Sequence, residues 1–164
     1  MPLERFSAAW REQYVTGTST PSDGCVFCRL ASQEVSESSG VLWRSQHTYV
    51  ALNAFPYGSG HALILPYAHV ANLEDLDENA YADLFLTLRR VVLALRAAYG
   101  ADGLNVGMNL GQAGGAGIPQ HLHAHALPRW LGDTNFMTTI GETRVLPESL
   151  ESTWRKLHDA LSVL

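Results

Sequence analysis

The sequence has few cysteines, little charge and no long apolar run, and each shortage excludes a class of protein. Only 2 of its 164 residues are cysteine and 16% are charged, with a formal net charge of -5. This negative balance provides no overall basic field to attract nucleic acid. The longest apolar run, residues 91–95, is flanked by Arg89, Arg90 and Arg96, so no segment is long enough to span a bilayer. We therefore expect neither nucleic acid nor a membrane as a partner.

The start of the chain and its two cysteines indicate the cellular compartment. The first 14 residues carry charges of both signs and lack the apolar segment of a signal peptide. Cys25 and Cys28 form a single Cys-x-x-Cys pair. Without an export signal, such a pair favours a metal site or a redox pair over a structural disulfide. We expect a cytoplasmic protein.

Periodic apolar residues divide the chain into the helices and strands of one domain. Helical spacing predicts helices over residues 3–14, 76–99 and 147–161, and alternation predicts strands over residues 41–43, 48–53, 61–66 and 104–110. Asp77 is expected to cap the long helix and Gly100 to end it. The pattern favours an α+β domain with a largely antiparallel sheet. The stripe of the long helix predicted to face the core comprises Tyr81, Leu84, Phe85, Leu88, Val92, Leu95 and Tyr99.

Residues 120–130, QHLHAHALPRW, form the most unusual stretch of the sequence. His121, His123 and His125 occupy every second position. Since alternate side chains of a strand share one face, we predict a strand whose three imidazoles lie side by side, about 6.5–7 Å apart. Buried imidazoles must be hydrogen-bonded, ligated or neutral, so such a row indicates chemistry. The opposite face would carry Leu122, Ala124 and Ala126 into the core.

A row of histidines supplies the groups that transfer to or from phosphorus requires. A neutral imidazole can attack phosphorus, and a protonated one can hold phosphate oxygens and protonate the leaving group. Residues 111–117, GQAGGAG, immediately precede the row. Glycines let backbone amides approach an anion closely, although a flexible connector has the same composition.

The pattern His-x-His-x-His followed by two apolar residues resembles the signature of the histidine triad (HIT) family of nucleotide hydrolases and transferases. The resemblance extends over CVFC, YVALNAFPYGSGHALILPYAHV and LNVGMNLGQAGGAGIPQHLHAHALPRW, which occur in the family's order. It implies a HIT-like α+β fold: an antiparallel sheet of about five strands, one long central helix and flanking N- and C-terminal helices. The single HIT domain would comprise an N-terminal helix and Cys-x-x-Cys loop (1–35), a core (36–132) and a C-terminal extension with the closing helix (133–164).

The resemblance implies cleavage of dinucleoside polyphosphates or related adenylated substrates through a covalent nucleotidyl-histidine. His123 would be the nucleophile, and His125 would contact the phosphate and assist the leaving group. His121 completes the triad, and His61 would support it from the neighbouring strand. Water or phosphate would then accept the nucleotide.

Substrate contacts are implied for two asparagines and for the segment before the triad. Asn53 matches a residue that binds the ribose hydroxyls, and Asn109 matches one near the phosphate; a turn residue and an edge residue are the simpler interpretations. Many members have Gln and Ser or Thr side chains before the triad, where this chain has GIPQ at residues 117–120. The phosphate contact would then come from backbone amides, including those of Gly115 and Gly117, or from Gln120. Together with PRWLGDTNFM at residues 128–137, this segment resembles the branch containing diadenosine tetraphosphate phosphorylases and related bacterial HIT proteins.

Cys25 and Cys28 provide half of a tetrahedral metal site, and two further ligands must come from elsewhere in the chain. The candidates are His47, His69 and His121. By resemblance, His69 and His121 complete a structural zinc site, while a redox pair or two plain thiols are the alternatives. No organic cofactor is expected.

The resemblance also implies a homodimer joined through the helix and strand near residues 76–110. Three functions compete with a dinucleoside polyphosphate hydrolase: a nucleotide-binding or regulatory module with little turnover, an adenosine phosphoramidase, and a metalloprotein using the histidines as a catalytic metal site. His158 is interpreted as a surface histidine.

Overall fold

The computed structural model describes residues 24–133 and 148–164. The helix predicted over residues 3–14, and Pro147 at the predicted start of the closing helix, lie outside them. In chain order the elements are helix α1 (Val26–Ala31), strands β1 (Val41–Arg44), β2 (Thr48–Leu52) and β3 (Ala62–Pro66), a 3-10 turn (Leu73–Asp75), helix α2 (Glu78–Tyr99), strands β4 (Gly103–Met108) and β5 (Ala124–Arg129), and helix α3 (Leu150–Ser162).

The five strands form one antiparallel sheet in the order β1-β2-β3-β5-β4. This confirms the α+β class and the expected number of strands. Strand β5 is inserted between β3 and β4, so His125 lies opposite Leu63 on one side and Gly107 on the other. The triad segment therefore enters the sheet beside the strand that follows His61.

The two faces of the sheet bury different clusters. Helices α2 and α3 cover one face, and Leu122, Ala124 and Ala126 belong to that core. This confirms the predicted apolar side of the triad segment. A smaller cluster on the opposite side includes Phe27 of α1 and Leu63 of β3. The alternation along β5 therefore places His125 on the side away from the two long helices.

The start of the predicted triad strand is wrong: β5 begins at Ala124, so His121 and His123 precede it. The backbone N–H groups of His121 and Leu122 donate to loops and not to a neighbouring strand. The N–H of Leu122 donates to the carbonyl of Val70 at 2.7 Å, and the N–H of His121 donates to the carbonyl of Ile118 at 3.4 Å. The strand predicted over residues 104–110 likewise ends early, at Met108.

Asp77 and Gly100 bound helix α2 as predicted, but the helix begins at Glu78 and not at residue 76, and its buried stripe is displaced. The side chain of Asp77 accepts a hydrogen bond from the N–H of Ala80 at 2.9 Å, and Gly100 ends the helix in the left-handed conformation at φ 54°. Tyr81 and Phe85, predicted to face the core, are 45% and 39% exposed. The buried face instead includes Thr87, whose hydroxyl contacts that of Thr48 at 2.9 Å. A search for apolar spacing passes over such a buried threonine.

Helix α3 packs against β1, which makes the surface interpretation of His158 wrong. The indole N–H of Trp154 donates to the carbonyl of Val41 at 2.9 Å, and Nδ1 of His158 donates to the carbonyl of Leu42 at 3.0 Å. The two rings stack with centroids 4.4 Å apart. His158 is half-buried, and its ring binds a backbone carbonyl of the edge strand β1. Among the helices of the described residues, none is long and apolar enough to cross a membrane.

Candidate active site and metal centre

His123 is held with one defined ring nitrogen available for chemistry. Its Nδ1 lies 2.8 Å from the carbonyl oxygen of His121. Because a carbonyl only accepts, Nδ1 carries the hydrogen and Nε2 keeps its lone pair. Burial lowers the pKa of His123, and the hydrogen bond to the carbonyl opposes this effect only in part. A buried, neutral imidazole with a lone pair on Nε2 has the form that a nucleophile needs.

A second chain of hydrogen bonds fixes the ring of His125. The backbone N–H of Tyr57 donates to Nδ1 of His61 at 3.0 Å, so the hydrogen of the neutral His61 ring lies on Nε2. That nitrogen is 2.9 Å from Nδ1 of His125, which must accept. The hydrogen of His125 therefore lies on Nε2, where it can be donated. The rings of His123 and His125 are close to perpendicular, with centroids 4.9 Å apart, closer than the predicted spacing along the strand.

Asn53 contacts this chain of hydrogen bonds from the end of β2. Its Nδ2 lies 3.3 Å from Nδ1 of His61, and its Oδ1 accepts from the backbone N–H of Phe55 at 2.9 Å. The simpler interpretation as a turn residue therefore holds, and the amide is also directed at His61. Asn109 is half-buried just after β4. The ribose and phosphate contacts assigned to these asparagines stay predictions.

The glycine-rich loop binds part of its own backbone. The N–H of Gly115 donates to the carbonyl of Gln112 at 3.0 Å, and the N–H of Ala116 donates to the carbonyl of Gly111 at 3.2 Å. In this conformation the Gly115 amide is engaged within the loop. Gly117 and Gln120 are exposed between this turn and the triad. Their contacts with phosphate, like that of Gly115, stay predictions.

The four residues assigned to the metal meet in one cluster. The ligand atoms of Cys25, Cys28, His69 and His121 all lie within 4.8 Å of one another. The distance from the sulfur of Cys28 to Nδ1 is 3.2 Å for His69 and 3.5 Å for His121, and the two nitrogens are 3.3 Å apart. Tetrahedral zinc with ordinary bond lengths places sulfur and nitrogen ligands about 3.6 Å apart and two nitrogens about 3.3 Å apart. The cluster fits a four-coordinate metal ion.

A hydrogen bond and burial hold the His121 ring in the form that binds a metal ion. Its Nε2 donates to the carbonyl of Pro66 at 3.0 Å, which leaves the Nδ1 lone pair facing the two sulfurs. Burial lowers the pKa of His121, favouring the neutral ring that binds metals. Burial and the neighbouring Cys25 raise the pKa of Cys28, an effect that a bound cation would reverse.

His47, the remaining candidate ligand, lies elsewhere. Its backbone N–H donates to the carboxylate of Asp83 at 2.9 Å. Within residues 24–133 and 148–164, the Cys25 cluster is the single group of at least three suitable side chains that could hold a metal ion. A catalytic metal site built from His123 and His125 therefore finds no support in the described residues.

Two aromatic residues that lie beside the histidines were not predicted from the sequence to belong to the site. The ring of Phe27 lies 5.0 Å from that of His123 and 5.6 Å from that of His121, between centroids. Tyr57 contacts the rings of His61 and His125 at 4.5 and 5.6 Å. Phe27 stands between the two cysteines and Tyr57 four residues before His61, so their proximity to assigned residues was the available signal.

Comparisons with known proteins agree with this geometry. The HIT domain family matches residues 34–130. The AP-4-A phosphorylase of Mycobacterium tuberculosis is 38% identical over 125 residues, which are 76% of this chain and 64% of that protein. The bis(5'-adenosyl)-triphosphatase of Saccharomyces cerevisiae is 37% identical over 91 residues, 55% of this chain and 44% of that protein. The chain thus spans less than two thirds of the length of either curated relative.

A solved structure shares both the fold and most of the chain length. The Zn-bound histidine triad family protein from Mycobacterium smegmatis superimposes with a TM-score of 0.68 at 27% identity, over 85% of this chain and 94% of that one. The family match spans more than half of the chain and contains all three triad histidines. The chain is a member of the HIT domain family.

Proposed function

We propose that this protein is a nucleotide hydrolase or nucleotidyl transferase that cleaves dinucleoside polyphosphates or related adenylated substrates through a covalent nucleotidyl-histidine at His123. The hydrogen bond from Nδ1 of His123 to the carbonyl of His121 carries the proposal, because it leaves the Nε2 lone pair for attack. Family membership and the activities for which the two curated relatives are named support the substrate class.

In the first step, Nε2 of His123 attacks the α-phosphorus of the bound nucleotide. A phosphorus–nitrogen bond forms while the bond from that phosphorus to the bridging oxygen breaks. The bridging oxygen leaves as an anion with the electron pair and accepts a hydrogen bond from Nε2–H of His125, whose neutral ring keeps its hydrogen. The carbonyl of His121 stabilises the positive charge that develops on the His123 ring.

In the second step, an acceptor attacks the nucleotidyl-histidine and regenerates His123. Water gives the nucleoside monophosphate, and inorganic phosphate gives the nucleoside diphosphate. An attacking water loses its proton to solvent, phosphate attacks through an ionised oxygen, and the electron pair of the broken phosphorus–nitrogen bond returns to Nε2 of His123. We favour phosphate because the first curated relative is named a phosphorylase.

Turnover of a substrate panel with and without phosphate tests this proposal. The panel contains diadenosine tri- and tetraphosphate and adenosine phosphoramidate, which separates the polyphosphate and phosphoramidase assignments. His123→Asn should lower turnover of the preferred substrate by at least about a thousandfold, since it removes the nucleophile. His158→Gln, a change on α3 remote from the triad histidines, is the matched control, and its turnover should stay near that of wild type. Equal turnover by wild type and His123→Asn would refute the nucleophile.

A nucleotide-binding module with little turnover is the second candidate. The engaged amide of Gly115 favours it, because a loop bonded to itself offers fewer donors to a transferring phosphate. Tight binding of AMP without turnover of any panel member would establish this alternative.

We further propose that the Cys25 cluster holds a structural zinc ion. The donor set of two thiols and two imidazoles is typical of closed tetrahedral zinc sites. With four protein ligands no coordination position is left for a substrate, so the ion would supply rigidity. The similarity of this chain to the Zn-bound protein from Mycobacterium smegmatis supports the assignment.

A homodimer is the assembly that we propose. Within the described residues β4 forms one edge of the sheet, and an apolar patch adjoins it. The patch comprises Leu73, Leu76, Tyr81 and Leu110, which line one groove with Glu74 and Glu78, together with Phe85 in contact with Tyr81. A second copy could pair its own β4 antiparallel with this edge and cover both patches, as a two-fold interface requires.

A further inference from the structure

One side chain of the loop between β2 and β3 is turned toward the histidines. Ala54 and Phe55 of this loop are exposed, whereas Tyr57 is half-buried. Its ring centroid lies 4.5 Å from that of His61 at an angle of 49°, and 5.6 Å from that of His125 at 23°. Tyr57 is thus stacked on one histidine and tilted against the other.

The backbone and the side chain of Tyr57 act differently on these rings. Its backbone N–H donates to His61, and any residue except proline would supply this donor. The hydrogen bond from His61 reaches the His125 ring at Nδ1. A hydrogen bond tolerates a deviation of about 30° from linearity, so this contact fixes the tautomer more tightly than the ring plane. The stacked ring of Tyr57 supplies the surface that defines the plane of His125.

The ring of His123 limits His125 from another direction. It stands at 67° to His125 with a centroid distance of 4.9 Å. With Tyr57 nearly parallel and His123 steeply inclined, the plane of the His125 ring is fixed, and with it the direction of the Nε2–H bond. A hydrogen-bond donor must be aimed at its acceptor, so this direction decides how well the charge on a leaving oxygen is stabilised.

We propose that Tyr57 is a positioning residue that holds the His125 ring so that Nε2–H points at the departing oxygen. This inference rests on the proposed function, in which Nε2–H of His125 stabilises the charge on the leaving oxygen. The phenol oxygen has no part in it; the aromatic face does. Loss of the ring should therefore harm substrates whose leaving oxygen carries a concentrated charge and spare substrates whose leaving oxygen does not.

Two aryl esters of AMP separate these cases. The 4-nitrophenyl ester releases a phenolate whose charge is delocalised and needs little stabilisation, and the unsubstituted phenyl ester releases a more basic phenolate that depends on a hydrogen-bond donor. We compare kcat and KM of wild type, Tyr57→Leu and Tyr57→Phe on both esters. Thermal melting and AMP affinity report on the fold and the nucleotide pocket of each variant. Tyr57→Met replaces the leucine variant if the latter does not fold.

We expect Tyr57→Leu to lower kcat for the phenyl ester by about ten- to a hundredfold and for the 4-nitrophenyl ester by less than about threefold, with KM unchanged. Tyr57→Phe should restore both values. An equal loss of kcat on the two esters, a rise in KM alone, or a phenylalanine variant as defective as leucine would overturn the assignment while leaving the proposed function intact. A wild-type protein that cleaves neither ester would overturn both.

Discussion

The chemistry that we propose for individual residues depends on which ring nitrogen of each histidine carries hydrogen. His121 uses its side chain in the metal cluster and its carbonyl to hold Nδ1 of His123. His61 accepts from the backbone of Tyr57 and donates to His125. The triad histidines thus reach different tautomers, with Nε2 of His123 as acceptor and Nε2 of His125 as donor.

Two variants of His61 test the second tautomer. His61→Leu removes the donor to His125 and should lower kcat by about ten- to a hundredfold, since His125 loses the tautomer that places hydrogen on Nε2. His61→Gln can still accept from Tyr57 and donate to His125, so its loss should be smaller. Steady-state kinetics with the preferred substrate of the panel would measure both. Equal kcat values for the two variants would contradict the assigned direction of the hydrogen bonds from Tyr57 through His61 to His125.

At the scale of elements, a single carboxylate joins α2 to the turn between β1 and β2. Asp83 accepts from the hydroxyl of Ser45 at 2.6 Å, the backbone N–H of His47 at 2.9 Å and the hydroxyl of Thr48 at 2.9 Å. Burial alone would raise the pKa of Asp83, but these hydrogen bonds outweigh it and lower the pKa below its ordinary value. The folded state therefore binds this proton more weakly than the unfolded chain.

The lowered pKa of Asp83 predicts how stability depends on pH. Its stabilisation is fully present above the unfolded pKa of about 3.9 and is lost as the pH falls through the lower folded value. Asp83→Asn should lower the free energy of unfolding at pH 7 by about 1–2 kcal/mol, because a charged acceptor is lost. Urea melts at pH 7 and pH 3 would measure the difference between variant and wild type. A difference as large at pH 3 as at pH 7 would contradict this account.

The metal cluster joins α1 to the segment after β3 and to the approach to β5. Cys28 contacts both His69 and His121, so Cys28→Ala should abolish metal binding. It should also lower stability by at least about 2.7 kcal/mol if metal is present at roughly a hundred times its Kd. Elemental analysis and denaturant melts with and without added zinc would measure both effects, and Ser32→Ala on the exposed end of α1 provides the control. Full zinc retained by Cys28→Ala would place the metal elsewhere.

Features of helices and strands that depend on local chemistry could be predicted from the sequence, whereas features that depend on contacts between distant segments could not. The capping of α2 by Asp77 and its end at Gly100 follow from local chemistry and were predicted. The start of β5 was not, because the bonds from Leu122 to Val70 and from His121 to Ile118 join segments distant or irregular in sequence. The carbonyl partners of His121 and His123 are backbone atoms, which residue identity does not reveal.

For the molecule as a whole, the side chains of α2 that were wrongly predicted to face the core indicate an interaction surface. Tyr81 and Phe85 lie at the helical spacing of core residues, yet both are exposed and in contact with each other. Periodicity alone cannot distinguish burial within one chain from burial against a second copy. The residue identities fit an interface as well as a core, so the sequence detected an apolar face without assigning what covers it.

Charge on this face should separate the proposed dimer. Tyr81→Glu or Phe85→Lys introduces an uncompensated charge into the patch and should shift the molecule from dimer to monomer. Leu86→Lys places the same charge on an exposed position of another side of α2 and serves as the control. Light scattering coupled to size exclusion would report the mass of each. A wild-type monomer, or dimerisation unaffected by either patch variant, would contradict the proposal.

Capture of the nucleotidyl-protein would show whether His123 is the nucleophile. Wild type and His123→Asn are mixed with a limiting amount of diadenosine tetraphosphate and quenched in alkali at successive times, because a phosphorus–imidazole bond survives base. Intact mass and peptide mapping then follow the adenylyl group. The account predicts that wild type transiently gains one adenylyl group on the peptide that contains His123, and that His123→Asn gains none. An adenylyl group on another residue, or cleavage by wild type with no adduct at any time, would contradict it.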